Sequence, residues 1–209
     1  MTSPESSPLS AEARARRIKV LIFDVDGVLT DGQLFFIPEN SGQPAADCTQ
    51  HGLEVKGFSA HDGLGITLAR LGGLRVGIIT KRESATVAIR ARDLKLEFVY
   101  QGQAHKMDAI QDILKRAGIA IEELAYVGDD VIDQPVMEAC GLAIATANAR
   151  VQVKEIAHWV TPNGGGHGAG RDAIDYILEA QDKLEYAIEA LLDANNPATA
   201  AADIDTGKM

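Results

Sequence analysis

Cysteine is scarce in this chain. Only Cys48 and Cys140 occur in 209 residues, and their spacing matches no metal-ligand pattern, so both are read as free thiols. Long apolar runs are also missing. None approaches the ~20 residues of a membrane span. Residues 1–10 are polar and rich in Ser and Pro, without the apolar centre of a secretory signal, so the cytoplasm is the expected location. Positive charge is in deficit: 20 Lys and Arg stand against 30 Asp and Glu, a net charge of −10. That balance argues against nucleic acid and against an anionic membrane as partners. An anionic substrate would need a pocket made locally positive by a metal and a few Lys or Arg. No internal repeat is visible, and no Gly-Lys-Ser/Thr follows the glycine-rich stretch 164–170, which excludes a Walker-type phosphate loop.

What is present is a chain 46% apolar, long enough for one domain with a core and flanking tails. Its organising stretch is Asp24-Val25-Asp26-Gly27, which directly follows the β-favouring run 18–23. Carboxylates at i and i+2 on an extended segment share a side, and Gly27 lets the chain turn away. A lone Asp-X-Asp is most often a solvated acidic turn, but that does not explain a strand aimed at the pair. Two anions so close require a cation or a shared proton. The pattern points to a hard-metal site at the carboxyl end of a strand, where one aspartate can serve as nucleophile and the other as acid/base.

In order, residues 1–9 read as disordered, and Ser10 as the N-cap of a short helix through Arg17. Two β-like runs, 33–37 and 53–58, joined by a polar loop over 38–52, suggest a long hairpin. Asp62 to Leu71 reads as a helix ended by Gly72-Gly73. Strands at 75–79, 98–100, 124–127, 142–145 and 158–160 then alternate with helices at 83–93, 106–117, 131–140 and 150–156. A helix of about six turns is expected from Arg171 to Leu192, and 193–209 as a mobile tail. This alternation predicts an α/β fold, a Rossmann-like parallel sheet with helices on both faces, with ligands bound beyond the carboxyl ends of its strands. Asp24 and Asp26, Thr80, Lys106, and Asp129 with Asp130 all fall at that edge. Each alone has an ordinary reading as turn, solvated lysine or helix cap. Together they combine carboxylates for a metal with a hydroxyl and a lysine for anionic oxygens, which is the equipment of phosphoryl transfer.

The chain resembles the haloacid dehalogenase superfamily of phosphatases: 24–30 is similar to its first motif, Thr80 to its second, Lys106 to its third, and Gly128-Asp129-Asp130 with Asp133 to its fourth. Within the superfamily it is most similar to the 3-deoxy-D-manno-octulosonate 8-phosphate phosphatase family, through 24–32, 61–66, 100–103, 126–130, 135–138 and 164–169. The resemblance spans roughly 18–185. It implies that Asp24 is the nucleophile and Asp26 the acid/base. Thr80 and Lys106 would bind phosphoryl oxygens. Magnesium (Mg2+) would be held by Asp24, the Asp26 carbonyl and Asp129, with Asp130 or Asp133 behind them. Gly27, His61, Lys81, Arg82 and Arg171 are the expected substrate-binding positions, for a small-molecule sugar phosphate. Lys81 stands where the family usually has Gly, and His61 where it tends to have Arg or Lys.

The interval from Asp24 to Thr80 exceeds the about 30 residues of a plain βα unit. The surplus fits the hairpin but no helical cap domain, and Lys106 to Asp129 leaves no room for one either. The expected organisation is a tail with a short helix (1–17), a capless phosphatase domain (18–192, hairpin 33–58) and a second tail (193–209). The resemblance implies that the site is closed by neighbouring subunits of a homotetramer. It leaves open a related nine-carbon sugar-acid phosphate as substrate, and a non-catalytic oligomerisation module like those fused to sugar-acid cytidylyltransferases. For the glycine-rich loop, a plain surface loop and a hinge presenting Arg171 or His167 to an anion both remain open.

Overall fold

The computed structural model describes residues 9–38 and 52–193. The expected N- and C-terminal tails, Cys48 and the loop between the hairpin strands lie outside the described residues, apart from a residue or two at their edges. The first helix, α1 (Ala11–Ala15), is N-capped by Ser10, whose hydroxyl accepts the Ala13 N–H. It leads into β1 (Val20–Phe23), which is buried along its whole length. The hairpin follows as β2 (Phe35–Pro38) and β3 (Gly52–Val55), paired antiparallel. Then α2 (Ala60–Leu71) begins two residues before Asp62, where the sequence suggests it opens, because Ser59 sits at its N-cap.

The alternating part follows the sequence pattern closely: β4 (Arg75–Ile79), α3 (Ala85–Asp93), β5 (Phe98–Tyr100), α4 (Lys106–Ala117), β6 (Leu124–Gly128), α5 (Gln134–Ala139), β7 (Leu142–Ala145), α6 (Val151–Ile156) and β8 (Trp159–Val160). The six strands outside the hairpin form one sheet of order β5-β4-β1-β6-β7-β8, and every pair is parallel. Side chains alternate across β1. Leu21 and Phe23 enter a core with residues of α1, α2, α3 and the C-terminal helices, while Val20 and Ile22 enter a second core with α4, α5 and α6. Both faces of the sheet are thus covered, as parallel strands require.

The expected six-turn C-terminal helix is corrected. The chain forms α7 (Ala169–Ala180) and α8 (Leu184–Leu192), separated by a turn at Asp182 with φ of 56°. The Lys183 N–H reaches back to the Leu178 carbonyl, and the Gln181 side-chain amide donates to the carbonyls of Ala15 and Ile18. These bonds end α7 and let both helices pack on α2.

The hairpin leaves most of its apolar side chains exposed. Leu34, Phe35, Phe36, Ile37, Leu53 and Val55 are each 39% to 60% exposed, so apolar side chains lie open on both of its faces. At the other end of the molecule, Gln181 ties α7 to the segment entering β1. Gln181→Ala deletes two hydrogen bonds, each worth about 0.5–1.5 kcal/mol, so urea unfolding should show a loss of about 1–3 kcal/mol. An unchanged midpoint would mean that this tie contributes nothing.

Candidate active site

β1 is central in the sheet, flanked by β4 and β6, and the chain leaves it toward β4 and β5 before crossing to β6. This is the strand-order reversal at which open α/β sheets bind ligands. Asp24 directly follows β1, and its N–H continues the ladder by donating to the Val127 carbonyl at 3.0 Å. The chain then winds tightly: the N–H groups of Val28, Leu29 and Thr30 all point to the Val25 carbonyl. Gly27 makes this possible with φ of 87°, and a Cβ there would lie 2.0 Å from Asp129 Oδ2. Only glycine lets the two acidic loops approach so closely.

The Asp24 carboxylate is buried and pairs with Lys106 at 2.8 Å. Lys106 opens α4 and is itself buried, rather than solvated as an N-terminal helix lysine usually is. Its ammonium also bonds Asp133 Oδ1 at 2.6 Å and the Tyr126 hydroxyl at 2.9 Å. Burial works against its charge, but Asp24 and Asp133 more than restore it and hold its pKa above the ordinary value. Asp133 has both oxygens committed. Oδ1 accepts from Lys106 and Tyr126, and Oδ2 accepts the N–H groups of Asp129 and Asp130.

Oxygens of Asp24, Asp129 and Asp133 lie within 4.8 Å of one another. Asp129 Oδ1 is buried and has no hydrogen-bond partner. Burial raises the Asp24 carboxyl to about 6, with Lys106 opposing and Asp133 adding to the shift. Burial raises Asp129 to about 7, and the charges of Asp24, Asp133 and Asp130 add to it. Three carboxylates against one ammonium, with one oxygen left without a partner, fit a divalent cation that prefers oxygen ligands. Because the oxygens of Asp133 are engaged, Asp24 and Asp129 are the side chains available to such an ion.

The other expected residues are distributed unevenly. Thr80 is buried at the end of β4, next to β1, and its hydroxyl accepts the Arg82 N–H at 3.4 Å. Asp26 faces two cations: it is ion-paired with Lys56, and Arg82 Nε lies 3.7 Å from its Oδ2. His61 and Lys81 are exposed and form no hydrogen bond or ion pair with these groups. Arg171 pairs along its own helix with Asp175 at 2.7 Å, and its N–H donates to Asp62. His167 is exposed. The glycine-rich loop is neither a free surface loop nor extended toward the cluster. A Cβ on Gly165 would lie 2.0 Å from the Gly27 carbonyl oxygen. Asn148, just beyond β7, joins the two by donating to that carbonyl at 2.9 Å and accepting the Gly165 N–H.

Sequence reasoning missed Lys56, Glu54, Tyr126 and Asn148. Two signals pointed toward them. Glu54 and Lys56 stand at i and i+2 on an extended run, as Asp24 and Asp26 do, and Asn148 follows a buried strand next to β6. Nothing in the sequence marks Tyr126, which lies inside an apolar strand.

The raised carboxyls carry a pH signature. Folded Asp24 and Asp129 hold protons between the ordinary value of 3.8 and about 6 and 7, where the unfolded chain has released them. Stability of chelator-treated protein should therefore fall as pH rises through that window. Thermal melts from pH 5 to 8 should show this decline, and Asp129→Asn should flatten it. Identical profiles for the two proteins would contradict the assignment.

A family model for haloacid dehalogenase-like hydrolases matches residues 79–170. The 3-deoxy-D-manno-octulosonate 8-phosphate phosphatase of Escherichia coli is 42% identical over 182 residues, covering 86% of this chain and 90% of that protein. The crystal structure of the phosphatase of the same name from Yersinia pestis superposes with a TM-score of 0.76 at 39% identity, over 84% of this chain and 88% of the other. The Moraxella catarrhalis enzyme, in complex with magnesium, phosphate and KDO, gives a TM-score of 0.77 at 34% identity, over 87% and 97%. Sequence and architecture agree along nearly the whole described chain: it belongs to the haloacid dehalogenase-like hydrolases, in the family of the 3-deoxy-D-manno-octulosonate 8-phosphate phosphatases.

Proposed function

We propose that the protein hydrolyses the phosphate ester of 3-deoxy-D-manno-octulosonate 8-phosphate, through an aspartyl-phosphate, in the cytoplasm. The observation that carries this reading is the buried Asp24–Lys106 pair at the strand-order reversal, with Asp129 at the end of the next strand. The names and extent of the relatives support the substrate.

Asp24 attacks phosphorus, forming the Oδ–P bond as the P–O bond to the sugar breaks. Asp26 gives its proton to the leaving oxygen. It then takes one from the water that attacks phosphorus and restores the Asp24 carboxylate. Lys106 already engages Asp24 Oδ1 and so orients the nucleophile. With Thr80 it also faces the phosphoryl oxygens. Asp24, Asp129 and the Asp26 carbonyl would hold magnesium, which when bound would offset the negative charge on those oxygens. Arg82, with Lys56 behind it, brings positive charge to the mouth of the site in a chain that is acidic as a whole. His61, Lys81 and Arg171 would reach the sugar acid only with substrate or a neighbouring subunit in place.

The test is phosphate release from the sugar-acid phosphate. Wild-type protein should turn over with Mg2+, stop with EDTA and recover when Mg2+ is restored. Asp24→Asn should form no phosphoenzyme and show no turnover. Full activity after thorough chelation, or wild-type turnover by Asp24→Asn, would overturn the reading.

The uncovered hairpin supports a homotetramer assembled through residues 33–58, since an exposed apolar patch of that kind is usually an interface. Light scattering at micromolar concentration should give four chains per particle, and Phe36→Asp should give smaller particles. A wild-type monomer would rule out this assembly.

A further inference from the structure

Lys56 lies one residue beyond β3, at the foot of the hairpin, with its side chain only 1% exposed. An ammonium so deeply buried needs anionic partners, and it has two. It is ion-paired with Asp26 Oδ1 and lies 3.5 Å from Glu54 Oε1. Among the described residues Lys56 is the sole hydrogen-bond donor to the Asp26 carboxylate, because Arg82 Nε at 3.7 Å is beyond bonding distance. The loop that carries Asp26 therefore does not fix this side chain with its own N–H groups.

Lys56 is in turn held by β3. Glu54 accepts from Arg82 at 3.0 Å and from the Ser84 hydroxyl, and the Thr86 hydroxyl donates to the Glu54 carbonyl at 3.1 Å. The start of α3 thus grips the strand that delivers Lys56. We propose that Lys56 is a positioning residue: it holds the Asp26 side chain where the proton gained from the hydrolytic water can pass to the next leaving oxygen, and so makes the hairpin part of the acid–base apparatus. This rests on the role of Asp26 proposed above. An acid must lie within hydrogen-bond reach of the oxygen it protonates, and a displacement of about 1 Å can cost about 100-fold in rate.

The experiment compares wild-type, Lys56→Met, Lys56→Arg and Asp26→Asn proteins. Phosphoenzyme formation is followed by rapid quench and mass spectrometry, with the sugar-acid phosphate and with p-nitrophenyl phosphate, whose leaving group needs no proton. The ratio of the two rates does not depend on the fraction of protein folded. Lys56→Met should slow the alkyl ester by about 10- to 100-fold and p-nitrophenyl phosphate far less, with KM for the sugar-acid phosphate little changed. Lys56→Arg should recover most of the loss. Equal slowing of both substrates, a wild-type ratio, or a raised KM at unchanged rate would each overturn the proposal; the last would make Lys56 a substrate-binding cation. If Asp26→Asn discriminates between leaving groups and Lys56→Met does not, the Lys56 inference alone fails. If Asp26→Asn does not discriminate either, both assignments fall.

Discussion

The buried ion pair between Asp24 and Lys106 is what allows the central strand to end on a carboxylate inside the protein. A lone charge there would be too costly, and removing one member of such a pair leaves the other uncompensated. Lys106 is in turn fixed by Asp133 and Tyr126, and the second oxygen of Asp133 holds the N–H groups of Asp129 and Asp130. One fully buried aspartate therefore sets the position of the lysine opening α4 and of the loop leaving β6, both relative to the end of β1. Within this knot the unpartnered oxygen is on Asp129, whose Oδ1 is buried without a hydrogen-bond partner.

Sheet order makes that knot possible. With β1 between β4 and β6, three strands end side by side on Asp24, Thr80 and Asp129, although these residues are far apart in the chain. The far end of the chain returns to the same edge. Gly165 packs on the Gly27 carbonyl, and Asn148 fastens both. The glycine-rich loop thus backs the tight turn that places Asp26 and presents no side chain of its own to the acidic cluster. Close backbone approach requires glycine at Gly165 and Gly166, and positive φ favours it at Gly166 and Gly168.

Much of this was legible in the sequence, for physical reasons. Strands buried on both faces appear as short apolar runs, so β4 and β7 have the bounds expected of them; the edge strand β5 also keeps its expected bounds, and α4 runs from its first lysine to the residue before Gly118. The helix of 171–192 was misread because Gln181-Asp182-Lys183 holds neither Gly nor Pro to mark a break. What breaks it is a positive φ at Asp182 and hydrogen bonds to Ala15 and Ile18, which depend on distant chain. In the site, the motif residues stood out because carboxylates, a hydroxyl and a lysine recur at strand ends. Lys56 did not, because a lysine in a hairpin is ordinarily solvated. Its burial follows from the fold of β3 against α3 and from the charge of Asp26, neither of which is local in sequence.

The hairpin therefore carries two demands at once. Its tip exposes apolar residues on both faces, and its foot buries a lysine against Asp26. A two-stranded hairpin is at best marginally stable alone, so its foot depends on contacts outside itself. Among the described residues these include the hydrogen bonds that Arg82, Ser84 and Thr86 donate to Glu54 and the Lys56–Asp26 pair. Any surface that covers the tip would restrain the same two strands and add to the restraint on Lys56. Closure of a capless site and placement of the Asp26 side chain would then be one structural problem, resolved by one insertion between β1 and α2.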